Sequence, residues 1–244
     1  MPASIIWLAP IASLATLLGG WLVVRFLQGR RSFMRLLSGA AAGYLLSVTL
    51  VRIIPEALEQ GGESMTLWVL GGYLAVHVME HGITPHFHYG EETHPVGSQW
   101  AGGLALVGLS LHSLLDGMSL SAAVQTRSNL GGLVFLGILF HRIPEGATIS
   151  SIFLSRGHTR KGALLAAGAL AAASMLGARM HGHLQLPVGP TLGVAAGLGI
   201  YVASSDLLPE VQKEPGWRSS LSILAGAGLF LLSLWLSPHH HPAG

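Results

Sequence analysis

The stretch from residue 101 to residue 153 reads AGGLALVGLSLHSLLDGMSLSAAVQTRSNLGGLVFLGILFHRIPEGATISSIF, and it decides the fold. It consists of two long apolar runs separated by a short polar segment. A membrane-spanning helix needs about 20 predominantly apolar residues, so each run is long enough to cross a bilayer. Because the two runs follow each other directly in the chain, they predict a pair of antiparallel membrane helices.

The rest of the chain has the same apolar character. Half of the 244 residues are hydrophobic, only 10% are charged, and the mean hydropathy is +0.57. This composition predicts an all-α integral membrane protein that forms one transmembrane domain, residues 1–244. The first run has no basic segment before it and is predicted to be a helix, not a cleaved signal peptide. Eight transmembrane helices are predicted, at residues 4–27, 34–58, 65–83, 100–124, 130–153, 162–180, 187–212 and 219–237.

Basic residues predict the orientation of these helices, because cytoplasmic connections collect Lys and Arg. The connections between helices 1–2, 3–4, 5–6 and 7–8 hold nine basic residues, whereas the opposite side holds two, Arg127 and Arg179. These four connections are therefore predicted to lie inside the cell, with both termini outside. The nine residues are Arg25, Arg30, Arg31, Arg35, Arg156, Arg160, Lys161, Lys213 and Arg218.

Helices 2 and 7 contain an internal repeat with a shift of 154 residues. Helix 2 ends in Ile54-Pro55-Glu56, and helix 7 ends in Leu208-Pro209-Glu210. In the predicted topology the two helices cross the membrane in opposite directions, which is the pattern of an inverted-topology repeat. The substrate site of such proteins lies near the bilayer midplane at the interface between the repeats.

Helices 4 and 5 each carry one copy of a second motif, with a shift of 29 residues: LHSLLDG at 111–117 and FHRIPEG at 140–146. In both copies a histidine and a carboxylate are four residues apart, which puts them one turn apart on one helix face. His112, Asp116, His141 and Glu145 can therefore point to one spot. An ionisable side chain at the bilayer centre costs about 2.5–3.5 kcal/mol on insertion scales, so the doubled pattern indicates a functional site.

The residue types of this motif predict a site for a divalent metal. The chain has no cysteine, which excludes disulfides, thiolate metal sites and Fe–S clusters. Two imidazoles and two carboxylates suit Zn²⁺ and also Fe²⁺, Mn²⁺, Co²⁺ or Cd²⁺. The predicted function is transport of a divalent metal, with zinc as the first candidate, so that the ion is a substrate and not a cofactor.

At these residues the sequence resembles the ZIP (Zrt/Irt-like) family of divalent-metal transporters, which carry His-Asn-x-x-Asp/Glu-Gly on helix 4 and His-x-x-Pro-Glu-Gly on helix 5. The end of helix 2 and the run from Ser205 to Glu210 resemble that family as well. The resemblance implies an inverted-repeat (3+2+3) bundle of eight helices with both termini outside, in the plasma or inner membrane. It also implies metal movement into the cytoplasm by an elevator-like slide of helices 1, 4, 5 and 6 against the other four. The implied metal ligands are His112, Asp116, His141 and Glu145.

Three departures from the family concern a second metal position that some members possess. Ser113 replaces the family's Asn, Arg142 follows the second motif histidine, and helix 6 offers only Ser174 as a polar group in mid-span. We therefore expect a mononuclear site. Because a guanidinium in lipid needs a carboxylate partner, our hypothesis is that Arg142 fills the second metal's place, bonded to Glu145 or Asp116. The alternative is that Arg142 turns along the helix to face a water-filled entrance.

Weaker candidates lie outside the doubled motif. Asp206 of helix 7 is a candidate for the metal pathway. Arg52 lies four residues before Glu56, which allows an ion pair within helix 2. The alternative is a pair between Arg52 and Asp206. We assign structural roles to Arg52 and Glu56. Residues 84–99 form a His-rich cytoplasmic loop between helices 3 and 4, which fits either a weak metal site at the exit or an ordinary solvated loop. The candidate exit residues are His77, His81, His86 and His88.

Three other functions fit parts of this pattern, and the sequence does not exclude one of them, a sensor that binds a metal ion without moving it. The four motif residues suit the zinc site of an intramembrane hydrolase with Glu145 as general base, but the inverted repeat and the lack of a Ser, Tyr or Lys partner argue against an enzyme. Exporters of the cation-diffusion type also use His-x-x-x-Asp pairs, but typically have six spans and a soluble C-terminal domain. The predicted partners are a metal ion and the lipid bilayer, with no nucleic acid. The sequence leaves open whether two copies form a homodimer.

Overall fold

The structure is a computed structural model that describes residues 4–27, 31–83, 101–126, 128–213 and 216–237. These residues form eight helices and no strand, and several helices continue into π-helical turns. The helices are α1 (Ile5–Leu22, then the π-helical Val23–Leu27), α2 (Arg31–Val48, the π-helical Thr49–Ile53, then Ile54–Gly61), α3 (Met65–Val78, then the π-helical Met79–Ile83), α4 (Ala101–Gln125), α5 (Leu130–Ser155), α6 (Arg160–Leu184), α7 (Val188–Tyr201, the π-helical Val202–Leu207, then Leu208–Gln212) and α8 (Trp217–Leu236).

Seven of the helices in the described residues are long and apolar enough to cross a membrane. The eighth is α3, whose end carries the polar residues His77, Glu80 and His81, which lower its mean hydropathy. The all-α, multi-pass fold is thus confirmed. Two helices are each six residues longer than predicted: α2 covers 31–61 instead of 34–58, and α6 covers 160–184 instead of 162–180. Their ends are polar, and an apolar run does not reveal helical turns that extend beyond the membrane core.

Three connections meet at one end of the bundle. Ser128 between α4 and α5 donates to Glu56 at the end of α2. Gln125 at the end of α4 hydrogen-bonds His181 at the end of α6. Because these connections are those predicted to lie outside, we call this the outer end of the bundle, and the opposite one the inner end.

Glycines divide the eight helices into two groups. At several glycines a neighbouring main chain leaves no room for a Cβ atom, and in the described residues each such contact joins helices of the same group. The first group contains α1, α4, α5 and α6, and the second contains α2, α3, α7 and α8. Between the groups, Gly137 meets only the side chains of Tyr44 and Val48. Examples within the groups are Gly146 on Thr16, Gly177 on Leu114, Gly226 on Ala40 and Gly197 on Val69.

We expect Gly146→Ala to destabilise the protein, because the added methyl group would overlap the carbonyl oxygen of Thr16 in α1. Overpacking of this kind costs about 1–3 kcal/mol. Gly132→Ala is the matched control on the same helix, since no atom lies within 4 Å of the Cβ it would add. Thermal unfolding of the purified protein in detergent should show a lower midpoint for Gly146→Ala only. Equal midpoints would mean that α1 and α5 are not tightly packed.

The repeat between helices 2 and 7 extends to the backbone. Both helices contain a π-helical turn directly before the repeated segments Ile54-Pro55-Glu56 and Leu208-Pro209-Glu210. The same hydrogen bond closes both turns: the Ile54 N–H donates to the Thr49 carbonyl, and the Leu208 N–H donates to the Ala203 carbonyl. The cause is local: proline lacks the N–H that an α-helical turn needs at that position. π-helical turns inside helices are frequent at functional sites.

Candidate metal centre

Three of the four predicted ligands come together between α4 and α5. His112, Asp116 and His141 are all buried, and each offers one ligand atom within 4.8 Å of the other two. Asp116 is the centre of the cluster: its Oδ2 lies 2.9 Å from His141 Nε2 and 3.4 Å from His112 Nε2. The i, i+4 spacing on α4 puts His112 next to Asp116, and His141 of α5 contacts Asp116 from the neighbouring helix.

The backbone of α5 orients the His141 ring. Its Nδ1 lies 2.9 Å from the carbonyl oxygen of Gly137, which can only accept a hydrogen bond. Nδ1 therefore carries a proton, and Nε2 is the nitrogen directed at Asp116. A histidine that donates its second N–H to a carbonyl in this way is held in the orientation that metal ligands need.

Arg142 lies on the carboxylates and does not face an entrance. It is 0% exposed, and its guanidinium is 3.2 Å from Asp116 Oδ2 and 3.0 Å from Glu145 Oε2. It also donates to the hydroxyl of Ser113 at 2.6 Å and to the Ser113 carbonyl at 3.0 Å. The hypothesis that Arg142 bonds to Glu145 or Asp116 named one carboxylate as its partner. In the structure Arg142 contacts both carboxylates.

Glu145, the fourth predicted ligand, does not belong to this three-residue cluster. Its Oε1 accepts a 2.6 Å hydrogen bond from the Ser113 hydroxyl, and its Oε2 accepts from Arg142. Ser113 thus connects the guanidinium to the carboxylate. This orientation could not be read from the spacing of the motif, because it depends on which of two neighbouring groups the carboxylate pairs with.

A cavity adjoins the three clustered residues and extends toward the second helix group. It has a volume of about 20 Å³, enough for roughly one water molecule or ion. His112, Asp116 and His141 form its polar side. Its apolar lining comes from Val48 and Ile53 of α2, from Leu198 and Val202 of α7, and from Val134 and Ile138 of α5. The cluster therefore lies between the two groups of helices.

A second polar cluster joins α3 to the π-helical turn of α7. The carboxyl groups of Asp206 and Glu80 are hydrogen-bonded to each other, and Asp206 interacts electrostatically with His112. The pairing of Asp206 with Glu80 was not predicted, because the sequence does not show that α3 and α7 are neighbours.

The predicted exit histidines are only partly described. His77 and His81 stack with ring centroids 4.1 Å apart, and His81 Nδ1 lies 3.3 Å from the Tyr201 hydroxyl. His86 and His88, with the whole loop 84–99, lie outside the described residues.

Arg52 has a partner that neither sequence hypothesis named. Within the described part of the chain it pairs with neither Glu56 nor Asp206, and its guanidinium donates to the Asn129 side chain at 2.9 Å. Glu56 accepts from Ser128 and from Gln60.

Comparisons with known proteins identify the family of the chain. The model of the ZIP zinc transporter family matches residues 86–234, which include both copies of the His-x-x-x-carboxylate motif. The chain is also 31% identical to the zinc transporter ZupT of Shigella dysenteriae serotype 1 (strain Sd197), over 93% of this chain and 94% of that protein. The chain therefore belongs to the ZIP zinc transporter family.

Proposed function

We propose that the protein carries divalent metal ions, zinc foremost, into the cytoplasm through a site made by His112, Asp116 and His141. The observation that carries this proposal is the convergence of three buried ligand atoms between α4 and α5, beside a cavity of about the size of one ion. Two imidazoles and a carboxylate are ligands that Zn²⁺ accepts readily. With three protein ligands, a coordination position stays open, which helps an ion that must be released again.

The metal here is a substrate, and the protein is a membrane transporter, as the members of its family are. The hydrolase alternative is for that reason not favoured. The same ligand set is acceptable to Fe²⁺, Mn²⁺, Co²⁺ and Cd²⁺, because nitrogen and oxygen donors discriminate little among these ions. Selectivity among them is therefore expected to be graded.

We infer that one ion is bound at a time. Arg142 lies between Asp116 and Glu145, where a second cation would need to bind, and its charge already neutralises one of these carboxylates. From α6 the buried Ser174 is the polar side chain nearest mid-span, and it brings no charge. Two cations next to a fixed guanidinium would repel one another strongly in a medium of low dielectric constant.

For the inward step we propose a route from the cavity past Asp206 and Glu80. Val202 lines the cavity, and Asp206 follows one turn later on α7, in the direction of the inner end. His77 and His81 continue this route on α3, and the loop 84–99, with His86 and His88, follows them in the chain. The charge of the connections, nine basic residues against two, supports a cytoplasmic position for the inner end of this route.

Uptake by the purified protein tests this function. In proteoliposomes loaded with a zinc-sensitive dye, we expect external Zn²⁺ to enter faster than in protein-free liposomes. A tenfold excess of Cd²⁺, Fe²⁺, Mn²⁺ or Co²⁺ should compete, to a different extent for each ion. A correctly folded protein that binds zinc without moving it would contradict the proposal.

A further inference from the structure

We propose that Arg52 and Glu56 of α2 form a latch with the α4–α5 connection, and that this latch closes the outer side of the metal pathway. The proposal rests on the transport function proposed above. The latch consists of two hydrogen bonds: Arg52 donates to Asn129 at 2.9 Å, and Ser128 donates to Glu56 at 2.8 Å. Glu56 is buried, with 8% exposure, so water competes little for its carboxylate.

Both hydrogen bonds cross from one helix group to the other. Arg52 and Glu56 belong to α2 in the second group, whereas residues 128–129 connect α4 and α5 of the first group. The tight glycine contacts lie within the groups, so a movement of one group against the other preserves them. The same movement must break hydrogen bonds between the groups.

The latch lies next to the cavity that adjoins the metal ligands. Ile53 lines this cavity and stands between Arg52 and Glu56 in the sequence. Val134, one turn after the start of α5, lines it as well. An ion that comes from the outer end has to pass between the helix ends that the latch holds together.

The repeat-related residues at the inner end behave differently. Asp206 and Glu210 of α7 correspond to Arg52 and Glu56 of α2 through the shift of 154 residues. Within the described residues, Asp206 is hydrogen-bonded to Glu80 and Glu210 to Arg35, and both partners belong to the second group. The hydrogen bonds of Arg52 and Glu56 thus join the two groups, whereas those of Asp206 and Glu210 lie within one group, and the latch opens when the site faces outward.

A reducible cross-link tests the latch directly, because the chain has no cysteine of its own. The variant Glu56→Cys/Ser128→Cys, joined by a short bifunctional methanethiosulfonate, should lose zinc uptake at least tenfold. Reduction should restore uptake. The matched control is Arg35→Cys/Glu210→Cys, which links α2 to α7 within the second group and should transport equally well before and after cross-linking. Undiminished uptake by the cross-linked latch variant would overturn the proposal.

A measurement without transport separates the latch from the proposed function. In an Ile53→Cys background, the additional changes Ser128→Ala and Asn129→Ala should speed labelling by an external, membrane-impermeant thiol reagent several-fold. An unchanged labelling rate would overturn the latch even if uptake could not be measured. Faster labelling in a protein that moves no zinc would retain the latch and reject the proposed function.

Discussion

Zinc uptake into proteoliposomes should fall to the background of protein-free liposomes when His141 is replaced by alanine. The change removes one of the three proposed ligands and leaves His112 and Asp116, which share one face of α4. Loss of a residue that only supports a metal ligand already costs about 10–100-fold in affinity, so loss of a ligand itself should cost more. The measurement is the initial rate of dye response at micromolar external zinc.

The control for this variant is His158→Ala, which removes an exposed histidine that packs on Phe153 after the end of α5. It should transport at the wild-type rate. Circular dichroism and gel filtration should show that both variants are folded. Near-normal uptake by a folded His141→Ala protein would exclude this residue from the site.

The second large effect concerns Arg142, whose replacement by glutamine should tighten zinc binding at least tenfold and lower the maximal rate of uptake. Arg142 is a buried positive charge bonded to Asp116, one of the proposed ligands, and a positive charge there would repel an incoming cation. Two unit charges 4 Å apart interact by about 4 kcal/mol at an effective dielectric constant of 20, and a tenfold change in affinity needs only about 1.4 kcal/mol. Tighter binding slows release, which reduces the rate. Isothermal titration calorimetry of the protein in detergent measures the affinity.

The double variant Arg142→Gln/Glu145→Gln removes one positive and one negative charge and keeps the net charge of the site. If Glu145 serves only as the partner of Arg142, the zinc affinity should be close to that of the wild type. A loss of about 100-fold would instead identify Glu145 as the fourth ligand. An unchanged affinity in Arg142→Gln alone would show that the guanidinium does not face the ion. Binding of two zinc ions by the wild type would contradict the mononuclear site.

The unfolding temperature provides a second test of the role of the Arg142 charge. Removing one partner of a buried charge pair destabilises the folded protein by about 3–5 kcal/mol, because the other charge stays buried and unpaired. Without metal, Arg142→Gln should therefore unfold at a lower temperature than the wild type. Zinc should raise the unfolding temperature of the variant more than that of the wild type, since the ion takes over part of the lost positive charge.

The helices and the clustering of His112, Asp116 and His141 were predictable because they depend on local patterns. Apolar runs mark membrane spans, and a four-residue spacing brings His112 and Asp116 to one face whatever surrounds the helix. The partner of Glu145 was open, since Ser113 and Arg142 compete with a metal for its oxygens. Nor could the sequence reveal the contact of Arg52 with Asn129, which joins helices that become neighbours only through packing.

The π-helical turns of α2 and α7 also set the rotational phase of these helices. An α-helix advances about 100° per residue, so the extra residue of each π-helical turn rotates everything that follows by that angle. The segments that begin with Pro55 and Pro209 can thus present Glu56 and Glu210 to partners that a continuous α-helix would turn them away from. Deleting one residue from Thr49–Ile53 should therefore do more than shorten α2: it would rotate the segment that begins with Pro55, while the cavity-lining Leu45 and Val48 keep their orientation.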